Sequence, residues 1–269
     1  NGAWFYKECG QLRDPFSGRG GNQLYFNRQE SQRQNQKHFQ NLIEKYKEIE
    51  NYDKVVENSY KDISEVSEKL KGQINILKGV ELAQPHYIPE LAEKIINTYD
   101  YDVVIGSIHN LRNQEDFYNW KSFDGIDIEA TMNEYFDELI KMLEWGNFEI
   151  LAHITYPFRY IYNICGYVEN IDKYKSKVDE LLKLCAEKDK ALEINMGGLK
   201  YPINKPSPDL ETIKRYKELG GKLVSVGSDS HYAERIGVNI DKAYEIARQA
   251  GFKSVATFKE RKVSEFAIV

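Results

Sequence analysis

The sequence predicts an α/β protein in which strand–helix units repeat around a parallel sheet or barrel. Short apolar runs rich in β-branched residues recur from about residue 72, and longer amphipathic segments separate them. Such runs are typical of strands that are buried on both faces of a parallel sheet. Strands that alternate with helices through short connections indicate βα units, which form parallel sheets or barrels.

The apolar runs and the amphipathic segments place the individual elements. The predicted strands cover residues 74–80, 102–108, 149–154, 191–195, 222–227 and 254–258. The predicted helices cover residues 39–70, 87–99, 128–145, 170–189, 208–219 and 240–250. The helix over 208–219 has the clearest ends: Ser207 can cap its start, Pro208 fits its first position, and Gly220-Gly221 ends it.

The N-terminal part of the sequence differs from the rest. Residues 11–38 are rich in Gln, Asn, Arg, Gly and Ser and have almost no apolar periodicity. Within this stretch, residues 28–37 predict a solvated helix or disorder rather than a buried strand. We therefore divide the chain into an atypical polar segment over 1–45 and one α/β domain over 46–269.

Composition and charge narrow the functional classes. The chain has 269 residues, 41% of them hydrophobic, which is enough for one large core. Its net charge is −5 and basic residues form no long run, so we expect no nucleic-acid partner. No apolar run is long enough to span a membrane. The three cysteines show no CxxC spacing, which predicts a reduced, cytoplasmic compartment. The sequence leaves the oligomeric state open.

Ionisable and amide side chains follow the predicted strands at the point where each strand ends. They are Glu81, His109, His153, Asn195, and the pair Asp229 and His231. In βα barrels the catalytic groups lie at the C-terminal ends of strands, because the loops there form the open face. Three of the five histidines in the chain occupy this kind of position. We therefore expect these side chains to converge at one end of the sheet.

Imidazole and carboxylate groups together favour a metal site. Such ligands suit divalent transition metals (Zn, Mn or Fe), and a bridging carboxylate suits two neighbouring ions. Nucleophilic catalysis by a serine with histidine and an acid is the competing use of these residue types. That chemistry would need a serine in a tight G-x-S-x-G turn, and the sequence contains none.

Several short motifs occur in a fixed order. They are Gly79-Val80-Glu81, Gly106-Ser107-Ile108-His109, His153 with Pro157 and Arg159 after it, Leu192-Glu193-Ile194-Asn195, and Gly227-Ser228-Asp229-Ser230-His231. In this order and spacing, residues 50–269 resemble the histidinol-phosphatase branch of the PHP (polymerase and histidinol phosphatase) superfamily. The resemblance implies a distorted seven-stranded βα barrel, here with atypical N-terminal strands, that binds up to three metals and hydrolyses phosphoesters.

The resemblance also implies metal-binding roles for the matching residues. Glu81 would bridge two metals, and His109 and His153 would complete one metal position. Asp229 and His231 would serve the other positions, and they are also the candidates for the general acid.

A second group of residues would contact the substrate phosphate. Arg159 would bind it, because a guanidinium group offers two parallel donors that match phosphate oxygens. Arg235, four residues after His231, is a weaker candidate for the same task, and Asn195 is a weak candidate for a site residue.

The N-terminal residues depart from the pattern of this superfamily, which normally opens with an H-x-H strand and a second strand ending in histidine. The corresponding place here reads Phe5-Tyr6-Lys7-Glu8-Cys9-Gly10. His38 precedes Glu81 by 43 residues and is a weak ligand candidate, as are Glu8 and Cys9. Three explanations stay open: replaced first strands, a natural relative with fewer metals, or ligands from another chain. We expect fewer than three tightly bound metals.

The reaction implied by the resemblance is the hydrolysis of L-histidinol phosphate, a small phosphate ester, to histidinol and phosphate in histidine biosynthesis. One alternative is a metal-poor PHP domain, weakly active or inactive, that serves as a binding or structural module. A further alternative is a phosphatase for another phosphoester, such as phosphotyrosine peptides. Metal content separates the first alternative from an enzyme, and a substrate panel separates the second.

Overall fold

A computed structural model describes the backbone of residues 5–9 and 50–268, and the side chains of residues 54–268. Most of the predicted polar segment over 1–45, including His38, lies outside the described residues. So does the first part of the helix predicted over 39–70. Within the polar segment the structure describes one strand, Phe5–Cys9, which pairs with the central sheet.

The fold is an α/β fold whose main sheet is entirely parallel, as predicted. In the described residues this sheet has six strands in sequence order. They are β1 (Phe5–Cys9), β2 (Ile76–Ala83), β3 (Val103–Ser107), β4 (Ile150–Leu151), β5 (Ala191–Asn195) and β6 (Val224–Gly227). Two further strands, β7 (Ser254–Lys259) and β8 (Lys262–Ala267), form an antiparallel hairpin. The prediction of a strand over 254–258 is thus confirmed, but its hydrogen-bonded neighbour is β8, which the sequence did not predict.

Helices follow the strands and cover the outside of the sheet. They are α1 (Glu50–Lys69), α2 (Pro89–Thr98), α3 (Ile128–Trp145), α4 (Phe158–Cys165), α5 (Lys175–Glu187), α6 (Leu210–Glu218) and α7 (Ile240–Gln249). Helix α4, which has eight residues and begins directly after Pro157, was not predicted from the sequence. None of the helices in the described part of the chain is long and apolar enough to cross a membrane.

Helix α6 begins later than its sequence predicts. Its N-cap is Asp209, whose side chain accepts a hydrogen bond from the Thr212 amide at 3.1 Å. The prediction of Ser207 as the cap was therefore wrong. The Ser207 hydroxyl lies 2.7 Å from the Thr155 hydroxyl instead, and this contact joins the loops that follow β4 and β5.

Hydrophobic side chains form two clusters on opposite faces of the sheet. The larger cluster lies between the sheet and the helices and includes Val80, Leu82 and Val104. The smaller one joins Val103 and Ile150 to Phe258 of β7. Since β3 and β7 are not hydrogen-bonded neighbours, this shared inner cluster shows that the sheet curls and brings its inner side chains together.

The turn of the hairpin fastens the N-terminal end of the curled sheet. The Arg261 amide donates to the Asp102 carbonyl at 2.9 Å, and the Arg261 guanidinium contacts the Glu149 carboxylate at 2.7 Å. These contacts close the end of the sheet opposite to the strand ends that carry the predicted site residues.

Candidate active site

Three of the predicted site residues meet at the C-terminal end of the parallel sheet. Glu81 lies in β2 with its neighbours Val80 and Leu82 in the outer cluster, so its own side chain faces inward. His109 and His153 follow β3 and β4 by two residues each. All three side chains are buried.

The three side chains present one donor atom each to a common point. Glu81 Oε1 lies 3.2 Å from His109 Nε2 and 3.3 Å from His153 Nε2, and the two Nε2 atoms are 3.3 Å apart. Donors held about 2.0–2.1 Å from one ion at tetrahedral angles are about 3.3–3.4 Å apart. The three distances therefore match those between ligand atoms around a single divalent ion.

The protonation preferences of the triangle follow from burial and from the shared carboxylate. Burial alone would raise the pKa of Glu81, but the hydrogen bonds to His109 and His153 outweigh it and lower the pKa well below its ordinary value. Burial lowers the pKa of His153, and the contact with Glu81 offsets this only in part. For His109 burial is outweighed by the Glu81 contact, so its pKa is raised. One ionised carboxylate thus contacts both imidazoles, and the three side chains form one buried group.

Asp229 and His231 lie beside the triangle as a separate pair. His231 Nε2 is 3.2 Å from Asp229 Oδ1, and Arg159 Nη1 is 3.5 Å from Asp229 Oδ2. Burial by itself would raise the pKa of Asp229, but the His231 hydrogen bond and the Arg159 charge lower it below its ordinary value. In the described part of the chain, Glu81, His109 and His153 form the one cluster with metal-ligating spacing, and this pair is not part of it.

Arg159 is buried beneath the open face of the sheet, although arginine is most often exposed. Its guanidinium carbon lies 4.9 Å from the centre of the Tyr156 ring, 5.5 Å from that of Tyr201 and 6.0 Å from that of Tyr160. Its Nη2 is buried and makes no hydrogen bond. A buried guanidinium with an unsatisfied donor is suited to an anionic ligand.

The weaker candidates have other surroundings. Asn195 is buried, and its side chain donates to Glu193 Oε2 at 3.1 Å and accepts from the Gly197 amide at 2.9 Å, so it holds the loop after β5. Arg235 is exposed in a short 3-10 helix, Ala233–Arg235. The side chains of Glu8 and Cys9, like His38, lie outside the described residues.

Glu193 is a site residue that the sequence reasoning missed. Its carboxylate accepts a hydrogen bond from the His153 amide at 2.9 Å. The backbone of His153 has a φ of 21°, which few non-glycine residues adopt. Burial and the nearby Asp229 charge raise the pKa of Glu193 to about 8. A charged residue between Leu192 and Ile194, inside an apolar strand, was the signal that could have found it.

Tyr156 and Asp116 also line the centre without having been predicted. The Tyr156 ring lies 4.6 Å from the His109 ring and 5.0 Å from the His153 ring, between centroids. Its hydroxyl donates to Asp116 Oδ1 at 2.8 Å. Nothing in the local sequence marks these two residues, since each follows a loop whose path depends on the fold.

Two glycines leave room for the side chains of Glu193 and Asp229. A Cβ atom at Gly227 would lie 2.3 Å from Glu193 Oε1, and one at Gly197 would lie 2.5 Å from Asp229 Oδ2. Contacts this short do not occur between real atoms, so a larger residue at either position would force Glu193 or Asp229 to shift. Gly227, the first residue of the Gly227-Ser228-Asp229-Ser230-His231 motif, thus leaves space for the buried side chain of Glu193.

Known protein families, sequences and structures resemble this chain. Residues 38–197 match the PHP domain family, and this range contains Glu81, His109, His153, Arg159 and Glu193. The chain belongs to the PHP domain family. A relative named probable histidinol-phosphatase from Clostridium acetobutylicum is 33% identical over 194 residues, which cover 71% of this chain and 74% of the relative.

A second relative of this PHP domain is known both by sequence and by structure. The histidinol-phosphatase of Lactococcus lactis is 26% identical over 210 residues, covering 77% of this chain and 76% of the relative. The crystal structure of histidinol phosphate phosphatase from this organism, complexed with Zn, L-histidinol and phosphate, superimposes with a TM-score of 0.63 and 25% identity. It covers 76% of this chain and 78% of that chain, so the described PHP fold extends over most of both proteins.

Proposed function

We propose that this PHP domain is a metal-dependent phosphomonoester hydrolase that converts L-histidinol phosphate and water to L-histidinol and phosphate in histidine biosynthesis. The observation that carries the proposal is the triangle of Glu81, His109 and His153 in a chain whose relatives are named histidinol-phosphatases. The structural relative with bound Zn, L-histidinol and phosphate supports the same substrate class.

The metal site in this proposal is the triangle itself. Two imidazole nitrogens and one carboxylate oxygen suit Zn, Mn or Fe. When bound, a divalent ion supplies positive charge against the phosphoryl oxygens and lowers the pKa of a water ligand. We propose fewer than three tightly held ions, since Asp229 and His231 offer one carboxylate and one imidazole beyond the triangle.

The remaining residues would bind and protonate the substrate. Arg159 would hold a phosphate oxygen through its unsatisfied Nη2, while its Nη1 stays on Asp229. Asp229, with its lowered pKa, is an acceptor at neutral pH and would orient His231 through their 3.2 Å contact. Through its other ring nitrogen, Nδ1, His231 would then donate the proton that the leaving alcohol oxygen requires.

Three wider assignments stay predictions within this proposal. They are the closure of the curled sheet into a seven-stranded barrel, the division of the chain at residues 45 and 46, and the cytoplasmic location. The first is supported by the inner cluster that joins β3, β4 and β7, and by the likeness to the solved relative.

The test of the proposed function combines metal analysis with a substrate panel. We expect the purified protein to contain at least one and fewer than three ions per chain, and to release phosphate from L-histidinol phosphate faster than from phosphotyrosine peptides. Glu81→Gln keeps the shape of the side chain but removes its charge, so it should weaken metal binding by at least about a hundredfold. The matched control is Glu144→Gln, at an exposed position on α3. A wild-type protein without metal and without phosphatase activity would contradict the proposal and favour a binding module.

A further inference from the structure

A cavity of about 240 Å³ opens against Arg159, between the loops that follow β4 and β5. Thr155, Ser207 and Asp209 line it, together with Glu169 from the loop after α4. The volume is close to the lower end of the range for small-ligand pockets, about 300 Å³. The cavity lies at the same end of the sheet as the metal triangle, because its walls come from loops at the C-terminal ends of strands.

Two charged side chains of opposite sign line this cavity, and each has a buried atom without a partner. The side chains of Arg159 and Glu169 are 4% and 0% exposed. Arg159 Nη2 and Glu169 Oε2 make no hydrogen bond. Burying a charged atom without a hydrogen-bond partner costs free energy. A cavity lined by one such positive group and one such negative group is therefore suited to a ligand that carries both charges.

The Glu169 carboxylate has three neighbouring side chains, one of which is Tyr167. Its Oε1 accepts from the Tyr174 hydroxyl and contacts the Lys173 ammonium, both at 3.0 Å. Lys173 is 46% exposed, so water screens its charge. Of the other charged residues that line the cavity, Asp209 caps helix α6 and Lys205 is exposed.

We propose that Glu169 binds the ammonium group of the substrate while the phosphate lies at Arg159, so that the site selects phosphate esters of amino alcohols. This inference rests on the proposed phosphatase function and adds a residue that determines its specificity. The Glu169 Oε2 atom would accept an N–H of the ammonium group, and the phosphate would engage Arg159 Nη2. Neither contact changes the bond that is cleaved. Glu169 would therefore affect which phosphate esters the site accepts.

The test measures kcat/KM for L-histidinol phosphate and for its deamino analogue, 3-(imidazol-4-yl)propyl phosphate, and compares their ratio among variants. In the wild-type protein the ratio should be about ten to a hundred, the effect of one charged hydrogen bond. In Glu169→Gln, which keeps an oxygen acceptor for Tyr174, the ratio should fall to near one. The matched control is Glu187→Gln, which removes an exposed carboxylate on α5 and should leave the ratio unchanged.

The outcomes separate this inference from the proposed function. A wild-type protein that hydrolyses both esters equally well would overturn the role of Glu169 and leave the phosphatase function standing. A Glu169→Gln variant with the wild-type ratio would also overturn it. The wild-type comparison does not depend on the folding of any variant. If neither ester is hydrolysed, the proposed function fails, and with it the inference that rests on it.

Discussion

The replacement Glu193→Gln should make the protein more stable at alkaline pH. Glu193 is buried, and burial together with the Asp229 charge raises its pKa to about 8. At neutral pH the carboxyl group is therefore largely protonated. Glutamine reproduces this neutral form, because its carbonyl oxygen can still accept the amide of His153 and the side chain of Asn195.

The pH range of the effect follows from proton uptake on folding. Below about pH 4.5 the carboxyl group is protonated in both the folded and the unfolded chain, so Glu193 has no effect on the pH dependence. Between about pH 4.5 and pH 8 the folded protein binds more protons, so the free energy of unfolding falls as the pH rises. A pKa raised from 4.5 to about 8, at about 1.4 kcal/mol for each pH unit, corresponds to a loss of up to about 5 kcal/mol.

The assay is urea denaturation of the wild-type protein and Glu193→Gln between pH 5 and pH 9, with EDTA present so that no metal alters the local charges. We expect nearly equal stability at pH 5 and a variant that is more stable by several kcal/mol at pH 9. Glu144→Gln, at an exposed position, should follow the wild-type profile. Parallel profiles of the wild-type protein and Glu193→Gln across the whole range would refute the reasoning.

Two further substitutions test the anion site and the packing of the strand ends. Arg159→Ala should raise KM for a phosphate ester by about ten- to a hundredfold and leave the metal content unchanged. The control, Arg248→Ala on the exposed side of α7, should change neither KM nor metal content. An unchanged KM in folded Arg159→Ala would show that Arg159 does not bind the phosphate. Gly227→Ala should lower the free energy of unfolding in urea by about 1–3 kcal/mol, because the added methyl group meets Glu193 at 2.3 Å, and a variant as stable as the wild-type protein would show that this contact relaxes at no cost.

Local sequence patterns were sufficient for the order of elements and for part of the centre. A strand that is buried on both faces of a sheet consists mainly of apolar residues, so an apolar run predicts such a strand. The six predicted strands correspond to β2 to β7. The C-terminal ends of neighbouring parallel strands lie at the same edge of the sheet. For this reason the positions of Glu81, His109 and His153 at or near the ends of their strands were enough to predict that they meet.

The sequence did not reveal elements that depend on tertiary contacts. Helix α4 is only eight residues long and strand β8 is largely exposed; β8 is held by its pairing with β7. The cap of α6 is Asp209, and the Ser207 hydroxyl contacts Thr155 in another loop instead. Such contacts join residues that are far apart in the chain, so no local pattern indicates them.

The amino-acid sequence by itself determined which residue types stand at the strand ends, and so the metal-binding chemistry. Only the tertiary structure decided their electrostatic states, because these depend on burial and on charges from other strands. It separated Asp229 and His231 from the metal triangle, raised the pKa of Glu193, and buried Arg159. It also placed Glu169 and Arg159, which carry opposite charges, in the lining of one cavity.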